Sequence, residues 1–108
     1  MTRKMYCVLC LVSFCSCLGM SARPTAPAVI RAGEALFRQK CTGCHAVNGE
    51  GGTFCPDLTH VGSRRDRDYI ETKLRHPTRT NPASVMPTFG DLPPEQFASL
   101  VSYLEQLK

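Results

Sequence analysis

The chain has 108 residues, 43% of them hydrophobic, with 7 Cys, no Trp and a formal net charge of +4, which limits it to one small domain. With 20% charged residues and no like-charge run longer than a pair, it is neither a disordered charged tail nor an electrostatic match for nucleic acid. So many cysteines would ordinarily indicate a disulfide scaffold, but the count is odd and Cys7, Cys10, Cys15 and Cys17 crowd the start, leaving only Cys41, Cys44 and Cys55 beyond it.

Arg3 and Lys4 precede an uncharged run from Met5 to Met20, shorter than the roughly 20 residues a membrane-spanning helix needs. A basic start, an apolar centre and the small pair Ser21-Ala22 read as an export signal over residues 1–22, cleaved near Ala22. Two other fates stay open: lipid attachment at Cys17, which follows the small Ser16, and retention as a short N-terminal anchor. All three place the domain in the periplasm or on the outer face of the cytoplasmic membrane, with membrane association through the N-terminus in the last two. Residues 23–28, with Pro24 and Pro27, read as an extended linker. Beyond the signal, the 13 Lys plus Arg less Arg3 and Lys4 leave 11 against 9 Asp plus Glu, so half of the net positive charge belongs to the export signal.

The folded domain is expected over residues 29–108. Val29, Ala32, Gly33, Leu36 and Phe37 recur at helical spacing up to Lys40. From Cys41 to Arg65 the glycines, with Asn48 and Pro56, predict a loop. A second helix starts at Asp66 or Arg67, runs through Tyr69, Ile70, Lys73 and Leu74, and stops before Pro77 because the residue ahead of a proline is pushed out of helical geometry. Another loop carries Pro77, Pro82 and Pro87. The last helix opens at Leu92-Pro93-Pro94-Glu95 and presents Phe97, Leu100, Val101, Leu104 and Leu107 as one apolar stripe. No segment alternates with period two, so the fold class is all-α: three main helices with long loops. Roughly 80 residues organised this way bury too little surface to order loops of 20 or more residues without a staple.

Cys41-Thr42-Gly43-Cys44-His45 supplies one, since C-x-x-C-H is the pattern of covalent haem attachment. Two thiols three positions apart at a helix end can each add across one haem vinyl group, and the adjacent His is then held under the iron. A thioredoxin-type redox pair would want a preceding strand, which the pattern lacks. A zinc site would need Cys41, Cys44 and His45 with one of Cys55, His60 or His76, and the neighbouring Cys44 and His45 reach one tetrahedral metal poorly. A plain Cys41–Cys44 disulfide explains neither His45 nor the loops.

From about Val29 to Lys108 the sequence resembles a small class I cytochrome c domain. Gly33 and Phe37 precede Cys41 by eight and four residues, the family's pattern for its first helix, and Leu100 and Tyr103 resemble the partners of that helix in the crossing with the last one. The resemblance implies a cytochrome c-like fold whose loops wrap a single haem c. It implies that His45 and Met86, the latter in Val85-Met86-Pro87, are the iron ligands, with His60 and His76 as rival sixth ligands. The sulfur ligand would set a fairly high potential. Pro56 matches the family proline whose carbonyl accepts the hydrogen bond of the ligand imidazole. Arg64 or Arg65 is expected either to approach a haem propionate or to stay solvated. Cys55 stands where many relatives have glycine, either as a buried apolar filler or as an exposed thiol able to link two molecules.

The function these residues imply is transfer of single electrons between transient redox partners in a respiratory or related chain, by a protein that is not an enzyme. It would act as a monomer or as a subunit of a complex, with no nucleic-acid partner. The alternatives are a haem-bearing subunit fixed in a larger membrane oxidoreductase and a haem enzyme or gas sensor with an open iron position.

Overall fold

In the computed structural model the described residues are 26–108, so the expected export signal, and the linker as far as Thr25, lie outside them. Five helices and one short strand pair make up the domain: α1 (Ala26–Lys40), β1 (Ala46–Val47), β2 (Glu50–Gly51), α2 (Val61–Arg64), α3 (Arg67–Arg75), α4 (Pro77–Thr80) and α5 (Pro94–Glu105). The three longer helices are those expected from the apolar spacing; α2 and α4 are single turns within the predicted loops. The described part of helix α1 takes in Ala26, Pro27 and Ala28, the residues expected to end the linker.

The strand pair corrects the expectation of no strands. Ala46 pairs with Gly51 and Val47 with Glu50, antiparallel, around a two-residue turn at Asn48-Gly49. Both turn residues have positive φ, 52° and 81°, the conformation that suits the right-handed twist of a tight hairpin and that Asn-Gly adopts most readily.

The core is the crossing of α1 on α5. Leu100 and Val101 are 0% exposed, and Phe37 packs its ring against Tyr103 with centroids 5.5 Å apart at 53°. On α1 the buried positions are Gly33 and Phe37, with Ile30 and Leu36 packed at the edge, while Ala32 faces solvent. The apolar stripe is therefore centred one side of where Val29 and Ala32 would put it. At Gly33 the helices touch backbone to backbone: a Cβ there would meet the Ser99 carbonyl and lie 2.7 Å from Tyr103 Cβ.

Helix α3 joins this core through Ile70 and Leu74. Its start is capped by Asp66, whose carboxylate accepts the Tyr69 N–H at 2.8 Å. Arg67 ties it to α5 by donating to Glu105 at 2.9 Å, while also pairing with Glu71 at 3.0 Å. Such half-exposed pairs are worth about 0–1 kcal/mol each, so they orient α3 more than they hold it.

Replacing Gly33 by Ala forces the crossing apart at backbone that cannot yield. The expected loss is about 1–3 kcal/mol, measured as a lower denaturant midpoint with an unchanged slope.

Candidate functional site

The Cys41-Thr42-Gly43-Cys44-His45 motif leaves α1 as a continuation of its last turn. The Cys41 N–H donates to the Phe37 carbonyl at 2.8 Å, and the N–H groups of Cys44 and His45 both donate to the Cys41 carbonyl, at 3.2 and 2.9 Å. The two thiols consequently stand in different surroundings. Cys41 is 8% exposed within the core, and burial pushes its thiol up to about 11; Cys44 is exposed.

The segment from Cys55 to Thr59 lies back along the motif and the hairpin. Cys55 N–H donates to the Cys44 carbonyl at 3.0 Å and Leu58 N–H to the Ala46 carbonyl at 2.9 Å. The Asn48 N–H donates to the Thr59 hydroxyl at 2.8 Å. Between these ties the Pro56 carbonyl comes 2.7 Å from His45 Nδ1. A carbonyl only accepts, so Nδ1 must carry the proton, and in the neutral ring Nε2 then keeps its lone pair for a metal.

His45 forms part of the wall of a cavity of about 590 Å³, which also includes Leu58, Val61, Ile70, Leu74, Leu104 and Met86. Pro56, Arg64 and Arg65 are in the same wall. Four predicted site residues, His45, Pro56, Arg64 and Met86, are therefore brought to one space. Cys41 and Cys44 are not part of its lining, and neither are His60 and His76. The His60 ring is engaged elsewhere, with Nδ1 2.8 Å from the Lys108 carbonyl, and His76 is an exposed residue between α3 and α4. Arg64 Nη2 donates to the Asp57 carbonyl at 3.0 Å, and the Arg65 guanidinium lies over the Tyr69 ring, 4.3 Å from its centroid.

The loop carrying Met86 is held by groups absent from the sequence-based site. Lys73 Nζ donates to the Pro77 carbonyl at 3.2 Å and to Ser84 Oγ at 3.4 Å, and Ser84 Oγ accepts the Met86 N–H at 3.3 Å. Beyond Met86, Phe89 N–H donates to the Leu74 carbonyl at 2.8 Å and the Thr88 hydroxyl to that of Arg75 at 2.8 Å. Lys73 read only as one polar position of α3; nothing local in the sequence marks it as a tether. Cys55 is neither the buried filler nor the fully exposed thiol expected of it: it is half-buried in the cavity wall beside Cys44.

Residues 30–108 match the sequence profile of cytochrome c. The chain belongs to the cytochrome c family. This cytochrome c domain is 33% identical over 101 residues to cytochrome c oxidase subunit 2 of Alkalihalophilus pseudofirmus, covering 83% of this chain and 30% of that protein. It is also 33% identical over 94 residues to cytochrome c oxidase subunit 2 of Bacillus sp. (strain PS3), covering 74% of this chain and 26% of the relative. The chain thus spans less than a third of the length of these relatives. No solved structure matches it at the same stringency.

Membership of the family implies haem binding, and the residues present fit the group. The cavity is of the size and apolar character of cofactor sites. A deprotonated imidazole nitrogen and a thioether are both metal donors of the kind haem iron takes.

Asp57 secures the segment that carries Pro56. Hydrogen bonds from the Thr59 hydroxyl and N–H hold its carboxyl below the ordinary range, with Arg64 and His60 adding to the effect. A depressed folded value means stability fully present above the unfolded value, near about 3.9, and lost as pH falls through the lower folded one. Asp57→Ala should therefore be less stable than the parent at neutral pH and show a flatter acid limb below about pH 5, read from denaturant midpoints as pH falls.

Proposed function

We propose that this cytochrome c domain is a monohaem electron carrier, with haem c held by thioethers to Cys41 and Cys44 and with His45 and Met86 as axial ligands. The observation that carries this reading is that His45 and Met86 stand in the wall of one apolar cavity that His60 and His76 do not reach. When bound, the haem supplies reversible one-electron exchange between its ferric and ferrous states.

The chain's own residues set the terms of that exchange. Pro56 fixes the tautomer and plane of His45 and strengthens it as a donor. Met86 offers a soft sulfur that favours the reduced metal and so raises the potential. Leu58, Ile70, Leu74 and Leu104 exclude water from the site. Arg64 spends one of its five donors on Asp57, leaving the rest of the guanidinium for a haem propionate at the cavity wall.

With His45 and Met86 both holding the iron, no substrate would reach it, and the domain would act as an electron carrier rather than as an enzyme. Its partners are then redox proteins that dock transiently. Phe54 and Val85, 81% and 79% exposed, both belong to the cavity wall. The export reading of residues 1–22 places the domain in the periplasm or on the outer membrane face, with the N-terminus as a membrane tie if it is lipidated or retained.

A second reading is favoured by the likeness to two oxidase subunits: the domain sits permanently in a larger membrane oxidoreductase and passes electrons within it. The electron-transfer site is the same in both; they differ in whether the domain purifies alone. A haem enzyme or gas sensor would need an open position where Met86 stands.

Met86→Ala tests the ligation. Removing the thioether should lower the potential by roughly 0.1 V or more, within the span of about 0.8 V that axial ligands command. It should also let carbon monoxide bind the reduced protein rapidly. An unchanged potential and slow carbon monoxide binding in the variant would point to a different sixth ligand, and rapid binding in the unmodified protein would point to an open site.

A further inference from the structure

On the reading that Met86 is the sixth iron ligand, we infer that Lys73 and Thr88 are positioning residues for it. Together they clasp the Met86 segment to the end of α3 and so decide how firmly the thioether stays on the iron.

The clasp follows from how α3 ends. The helix closes at Arg75, ahead of Pro77, which has no N–H to continue it, and the carbonyls of its last turn are left without intrahelical donors. The chain beyond Met86 supplies donors to two of them. Phe89 N–H donates to the Leu74 carbonyl and the Thr88 hydroxyl to the Arg75 carbonyl, both at 2.8 Å. The Thr88 oxygen also accepts the Gly90 N–H at 3.3 Å, which steadies the hydroxyl. Ahead of Met86 the tie runs the other way, from a helix side chain to the loop. Lys73 Nζ rests on the Pro77 carbonyl at 3.2 Å and donates to Ser84 Oγ at 3.4 Å, and that oxygen accepts the Met86 N–H at 3.3 Å. Three successive residues of one helical turn, Lys73, Leu74 and Arg75, therefore hold the chain on both sides of Met86.

Between these anchors Val85 and Pro87 are exposed, while the Met86 side chain packs inward against the core. Loss of either anchor frees the short stretch that carries the thioether to swing outward. The Phe89 tie is made by backbone, but the Lys73 and Thr88 ties are single side-chain groups, so each can be deleted without altering Met86.

A dissolved ligand that competes with Met86 binds with an affinity reduced by the fraction of molecules whose sixth position is open. Loosening the clasp enlarges that fraction. Affinity for such a ligand therefore reports on the clasp through Met86, which a side chain that merely stabilised the fold would not do.

The test is imidazole binding to the oxidised, haem-loaded full chain, followed by absorbance. Thr88→Val keeps the shape and deletes the hydroxyl; Lys73→Met keeps the reach and deletes the ammonium. Each should raise the apparent imidazole affinity by roughly two- to tenfold, the range one hydrogen bond covers. Thr88→Ser, which keeps the hydroxyl, should match the parent. In a Met86→Ala background, where no thioether competes, neither Thr88→Val nor Lys73→Met should change the affinity. Unchanged affinity in either variant, or the same rise with and without Met86, would overturn the inference. A Met86→Ala protein that binds imidazole no more tightly than the parent would instead fault the ligand assignment, a result distinct from failure of the clasp alone.

Discussion

Everything in this domain hangs on the contact of α1 with α5 at Gly33, where the helices meet with no side chain between them. That approach lets the rings of Phe37 and Tyr103 meet at a tilt and buries Leu100 and Val101 completely. Cys41 follows one turn after Phe37 and is itself part of the core. The start of the C-x-x-C-H motif is therefore positioned by the buried core rather than by a loop, which suits the bond-forming role proposed for it.

From that fixed point the site is assembled by backbone hydrogen bonds more than by side-chain packing. The hairpin turns the chain at Asn48-Gly49, and the segment from Cys55 to Thr59 returns along it, so that Pro56 meets His45 at the end of a short ladder. The His45 ring is oriented by a carbonyl whose own place is set by at least three other ties, from Cys55, Leu58 and Arg64. The Met86 side relies on different groups: Lys73 and the last turn of α3 hold that loop through Ser84, Thr88 and Phe89. The two proposed ligands thus reach the cavity on separately anchored segments, and only α3 and the core connect them.

The parts legible in the sequence are those governed by local rules. Helical spacing marks α3 and α5, Asp66 and Pro94 mark their starts, and the C-x-x-C-H pattern carries its chemistry in five residues. That Ala26, Pro27 and Ala28 are helical was hidden because Pro27 reads as a breaker within a linker. The hairpin had a signal, Asn48-Gly49, but its strands are two residues each, too short for any alternation to register. Arg64 on Asp57, Lys73 on Ser84 and Cys55 beside Cys44 are contacts between segments with no periodic pattern. Their register is set by tertiary hydrogen bonds and is invisible until the loops are folded.

The cavity also says something about how such a chain can be stable at all. Leu58, Val61, Ile70, Leu74 and Leu104 serve the protein core on one side and line an apolar space on the other. Ile70, Leu74 and Leu104 are already buried while Leu58 and Val61 are only partly so, so a group filling the space would add burial at roughly 25 cal/mol per Å² to a core of a size that has little margin to spare. A planar apolar group filling the space would complete the core rather than decorate it, and any ligand that binds only the folded state shifts the folding equilibrium by mass action. The covalent attachment proposed above would make that shift permanent. It would also explain why long loops, otherwise a liability in so small a domain, are compatible with order: their inner faces would pack against the cofactor, and their hydrogen bonds would only have to hold the register in which they meet it.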